Sequence, residues 1–189
     1  MLKRVWRGFS EAAMKDRNEH IYSVGGLVLL GVIFLGMMAL MRITASQVAA
    51  LSGGQGIVDL EFAVTPERIR QALSGYGRAA AGYYRWGFML VDMVYAFAYC
   101  TFYRAAVTTV LYRCAVRYEV RSRLAMMPAA AMAADLFENT VMFILLSGSG
   151  AGMLLWAFTV FNVIKFVLVY ASLAVVIGGT LWLVKKRLS

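Results

Sequence analysis

The chain has 189 residues, 61% hydrophobic and only 15% charged, with a mean hydropathy of +0.69. Soluble domains run about 45–50% apolar and about 25% charged, which excludes an ordinary soluble domain. The net charge of +9 could suit nucleic acid, but the basic residues flank apolar runs, the pattern of membrane topology and anionic lipid headgroups, so no nucleic-acid partner is expected.

Residues 1–20 carry Lys3, Arg4, Arg7, Lys15 and Arg17, with Val5, Trp6, Phe9 and Ala13 at helical spacing. This reads as an amphipathic helix on the cytoplasmic membrane surface. Residues 21–41 contain no charge, and their length suffices to cross a core about 30 Å thick. The run exceeds a signal-peptide core and follows Glu11, Asp16 and Glu19, so it reads as an uncleaved first span. Gly25, Gly26, Gly31 and Gly36 give it a flank suited to close helix contact.

Residues 42–85 form the outer segment. Val58, Leu60, Phe62 and Val64 alternate with Asp59 and Glu61, which predicts an extended stretch with one apolar face. Thr65-Pro66-Glu67 then opens a helix, with Thr as N-cap, Pro at the first position and an acid in the first turn. Ile69, Ala72, Leu73, Tyr76, Ala80 and Tyr83 share a face, predicting an interfacial helix over 66–82. Tyr83, Tyr84 and Trp86 read as an aromatic belt before the next span.

Further spans are predicted at about 86–112, 124–146 and 153–184, with a glycine-rich turn at 147–152 and a closing Lys185-Lys186-Arg187. Basic residues crowd 1–20, 113–123 and 185–187 and are missing from 147–152. The expected fold is therefore all-α: a polytopic four-transmembrane-helix bundle, one integral membrane domain over 1–189, with both termini cytoplasmic. A bacterial inner membrane or its equivalent is the expected location.

Cys100 and Cys114 would lie about 21 Å apart on one helix, too far for a disulfide. His20 is the only histidine, so histidine-based catalysis is not expected.

The polar residues inside the spans are the candidate site, because lipid will not accept them. Asp92, Tyr95 and Tyr99 share one helix face, as do Asp135, Glu138 and Asn139, and again Asn162 and Lys165. At the helical rise, Asp92 lies about 9 Å from the outer surface, Glu138 about 12 Å, Asn162 about 14 Å, Asp135 about 16 Å and Lys165 about 18 Å. The expectation is one inward-facing polar cavity, open to the outside. Three carboxylates face one ammonium, so at least one is expected to carry a proton near neutral pH.

The residues assigned to chemistry are Asp135, Glu138 and Lys165, and those assigned to ligand binding are Asp92, Tyr95, Tyr99, Asn139 and Asn162. The expected ligand is a lipid or small amphiphile, with acid–base catalysis on it as the chemistry the carboxylates allow. Proton- or cation-coupled transport by a homo-oligomer is an alternative. An accessory subunit of a larger membrane complex is another, and so is plain hydrogen-bond glue between helices. An Mg²⁺ or Ca²⁺ ion on Asp92, Asp135 and Glu138 is a minor alternative, and no metal site is assigned. No cofactor is assigned.

Overall fold

The computed structural model describes residues 23–148 and 152–188. The amphipathic helix expected over 1–20 and the centre of the glycine turn lie outside them. The described residues are all helix and turn, with no strand among them. Three helices are long and apolar enough to cross a membrane: 24–51, the stretch 118–146, and 152–188.

Helix α1 (Val24–Leu51) starts at Ser23, whose hydroxyl accepts the Gly26 N–H at 3.1 Å. It runs ten residues beyond the expected span, past Arg42, because nothing in 42–51 breaks a helix. Only Met41, Thr44 and Val48 are buried along it; its first half is a bare apolar surface of the kind lipid covers.

The outer segment folds back over the helix ends rather than floating at the interface. The 58–64 stretch is not extended: Val58–Leu60 is a 3-10 turn, and Ala63 has a φ of 53°. Its alternation does not sort by polarity, since Asp59 is buried while Leu60 and Phe62 are exposed. The reason is an ion partner for Asp59 in the bundle, which outweighs burial of two apolar side chains.

Thr65 caps α2 (Pro66–Gly75) by accepting the Arg68 N–H at 3.2 Å. The helix expected over 66–82 is two pieces, α2 and α3 (Arg78–Tyr83). Between them Tyr76 turns aside to donate its hydroxyl to the Gly56 carbonyl at 2.5 Å, and the flanking Gly75 and Gly77 make that break inexpensive. Ile69, Ala72, Tyr76 and Ala80 do bury, in one core with Val48, Val58, Met142 and Phe158.

A π-helical turn, Tyr84–Phe88, leads into α4 (Met89–Arg113). Tyr84 does not join an aromatic belt: it is fully buried, edge-on to Tyr76 and Phe88 at 5.6 and 5.3 Å. Trp86 is exposed, as a belt residue would be. A short helix α5 (Tyr118–Leu124) precedes α6 (Met127–Leu146), which has Pro128 in its first turn. Helix α7 (Gly152–Leu188) carries the three terminal basic residues in its last turn.

Helices α6 and α7 form the most extensive pair, α4 packs on both, and α1 leans on α4. Phe34 of α1 stacks on Phe102 of α4 at 5.2 Å and on Tyr95 at 5.8 Å. A three-helix core with one outrigger therefore leaves a cleft between α1 and α7, floored by α4.

Candidate functional site

Helical spacing puts Asp92, Tyr95 and Tyr99 on one face of α4, Asp135, Glu138 and Asn139 on one face of α6, and Asn162 and Lys165 on one face of α7. Those three faces meet. All of these residues are buried except Tyr95, which is partly so.

Lys165 is the hub. Its Nζ lies 2.6 Å from Glu138 Oε2 and 3.3 Å from Asp135 Oδ1. Its shortest contact, 2.5 Å, is to Asp59 Oδ1, and it also donates to the Asp59 carbonyl at 3.2 Å. Asp59 comes from the outer segment and is a site residue that helical periodicity could not reveal. Asn162 Nδ2 fastens the same segment, approaching Glu138 Oε1 and the Glu61 carbonyl at 3.0 Å each, and the Asp59 carbonyl at 3.5 Å. At the surface, Arg68 of α2 grips Glu61 with two hydrogen bonds of 2.6 and 3.0 Å. The cluster expected to be open at this end is thus strapped over by the 57–75 segment.

Burial alone would raise the Asp59 carboxyl, but the Lys165 ammonium and hydrogen bonding around the carboxyl overcome it, holding Asp59 below its ordinary value. Asp92 adjoins the hub, sharing a hydrogen bond with the Asp59 carboxyl, but is not one of the three carboxyls paired with Lys165. Its Oδ2 accepts from Asn139 Nδ2 at 2.5 Å, and among the described residues it has no ion-pair partner within reach. Four buried carboxyl groups therefore surround one buried ammonium, an arrangement that calls for protons or a further cation.

Carboxylate oxygens of Asp59, Asp135 and Glu138 all lie within 4.8 Å of one another, close enough to hold a cation. The position between them is taken by Lys165 Nζ. A trio of Asp92, Asp135 and Glu138 is not what converges, because Asp59 enters in place of Asp92.

A cavity of about 280 Å³ fills the cleft between α1 and α7. Asp59, Asp92, Asp135 and Lys165 make its polar end, and Tyr95, Tyr99 and Tyr103 of α4 line its floor. Met38 and Met41 of α1 face Phe166 and Val169 of α7 across it, with exposed Arg42 on the rim. Glu138, Asn139 and Asn162 do not line it; they stand behind the lining residues and hold them in place. The Tyr99 hydroxyl shares a hydrogen bond with the Asp135 carboxyl, while Asn162 Oδ1 is buried without a hydrogen-bond partner.

No family model, curated protein or solved structure is similar to this chain. The reading of the site therefore rests on its own geometry.

Proposed function

We propose that this is a four-span integral membrane protein with both termini cytoplasmic, and that it binds a lipid or small amphiphile in the cleft between α1 and α7. The observation that carries the binding reading is the make-up of the cavity. Its lining joins the ionisable side chains of Asp59, Asp92, Asp135 and Lys165 to methionine side chains of α1 and to Phe166 and Val169 of α7. A polar head and an apolar tail match such a cavity, with the tail leaving sideways into the bilayer. The twelve basic residues of 1–20, 113–123 and 185–187 support the topology. They also offer the cytoplasmic face to anionic headgroups.

Asp59 and Asp135 both line the cavity and touch Lys165, and Asp135, at 3.3 Å against 2.5 Å, is the less tightly held of the two and the one on a long apolar helix. It is the group placed to exchange a proton with a bound headgroup, and acid–base chemistry on the ligand is assigned to it. Glu138 and Lys165 are positioning residues that set the charge around it. Transport or a subunit role has no observation of comparable weight behind it.

The test is mass spectrometry of what co-purifies with the solubilised chain, wild type beside Val169→Trp, which fills the cavity from the α7 wall. The wild type is expected to retain one discrete amphiphile and the variant to lose it at unchanged melting temperature. Identical mixed lipids on both proteins would overturn the reading.

A further inference from the structure

Resting on the amphiphile reading, we infer that the headgroup this cavity takes carries an ammonium, seated between Asp92 and the tyrosines of α4, with an acidic group of the same headgroup against Arg42.

Asp92 is the first reason. It is buried, lines the cavity and is hydrogen-bonded by a neutral amide, while Lys165 is engaged by Asp59, Asp135 and Glu138. A buried carboxylate without a counter-ion is costly, and a ligand cation removes the cost. The second reason is the floor. Tyr95 and Tyr99 follow Asp92 at i+3 and i+7 on the same face of α4 and line the same cavity, with Tyr103 one turn further along. Aromatic walls beside a carboxylate attract cations through the ring quadrupole. The third is the surplus of acceptors in the lining, where the carboxyl groups of Asp59, Asp92 and Asp135 face the single ammonium of Lys165. Carboxylate oxygens accept N–H donors, which a primary ammonium supplies. Lys165 displays the same chemistry within the protein: its ammonium sits among carboxylates and 5.1 Å from the Phe166 ring centroid. An anionic headgroup would instead meet an excess of carboxylates at the inner end. Arg42, on the rim, is the cavity's remaining cation and fits the phosphate of a zwitterionic headgroup.

The experiment is native mass spectrometry of the full chain in maltoside micelles, titrated with dodecylamine, dodecylphosphoethanolamine or dodecyl phosphate. Both amines are expected to bind at least about tenfold more tightly than dodecyl phosphate. Asp92→Asn, which keeps an oxygen for Asn139, is expected to erase that preference. Tyr95→Leu should weaken amine binding and Tyr95→Phe restore it, which a merely structural role would not require. Arg42→Gln should weaken dodecylphosphoethanolamine and leave dodecylamine unchanged; equal weakening of both would remove Arg42 from the assignment. Dodecyl phosphate binding as tightly as the amines, or amine binding unaltered in Asp92→Asn, would overturn the ammonium. If neither amine binds while Val169→Trp still expels a native amphiphile, the headgroup class is wrong and the cavity reading stands. If no amphiphile binds or co-purifies, both fall.

Discussion

Lys165 makes three ion pairs from one buried nitrogen, and removing it leaves three buried carboxylates facing each other. Breaking a buried pair by removing one partner costs about 3–5 kcal/mol. Lys165→Met is expected to lose stability on that scale in thermal unfolding, and the double change with Glu138→Gln to regain part of it. A loss in the double mutant as large as in the single would show that the charge at Glu138 does not oppose Lys165. Asp59 gives a pH signature. Its carboxyl sits below the ordinary 3.8 in the fold, so its contribution is fully present above 3.8 and disappears as pH falls through the lower, folded value. Protection of the 57–61 amides, taken relative to their intrinsic exchange at each pH, should therefore fall on acidification below about pH 4 in the wild type. In Asp59→Asn it should be low and independent of pH over the same range. The carboxylates on α6 were legible as an i, i+3, i+4 face in an apolar run. Asp59 was not, because no period fixes the path of a loop, and its apolar neighbours Leu60 and Phe62 point the wrong way for the strand pattern they imitate.

The elements that composition alone revealed are the long ones. Uncharged apolar runs of span length leave few other structures open, and the helix starts at Ser23 and Thr65 follow from caps visible as single residues. Breaks driven by one distant contact stay hidden, as at Tyr76. Burial raises its phenol to about 12, so the stability from the Tyr76–Gly56 bond is present below pH 10 and fades as pH climbs through about 12. Tyr76→Phe should remove that alkaline transition and cost about 1 kcal/mol at neutral pH. Helix crossing is equally hidden. A Cβ on Gly179 of α7 would stand 2.3 Å from Val110 Cγ1 of α4, so the two helices meet there through the absence of a side chain. Gly179→Ala is expected to cost about 1–3 kcal/mol as overpacking. Adding Val110→Ala should recover most of it, and additive losses instead would place the clash elsewhere.

At the scale of the molecule, an outrigger helix makes the difference between a packed bundle and one with a side entrance. Were α1 packed on α7 as closely as α6 is, the polar cluster would be sealed and its unpaired carboxyl group would have no partner to receive. On the amphiphile reading proposed above, the 57–75 segment, held down by Asp59, Asn162 and Arg68, closes the other route and leaves exchange with the bilayer. That geometry has meaning only if the strap is outside and the basic termini inside, which makes topology the decisive measurement. In a background with Cys100 and Cys114 replaced by alanine, cysteines are placed at Gln71 on α2, Arg117 before α5 and Leu188 at the end of α7, all three exposed. A membrane-impermeant maleimide applied to intact cells should label Gln71→Cys alone, and permeabilisation should expose Arg117→Cys and Leu188→Cys. Labelling of Gln71→Cys and Leu188→Cys from the same side would break the four-span arrangement. If both label only after permeabilisation, the strap, the cluster and the rim arginine lie on the cytoplasmic side, where an amphiphile would have to enter from the inner leaflet.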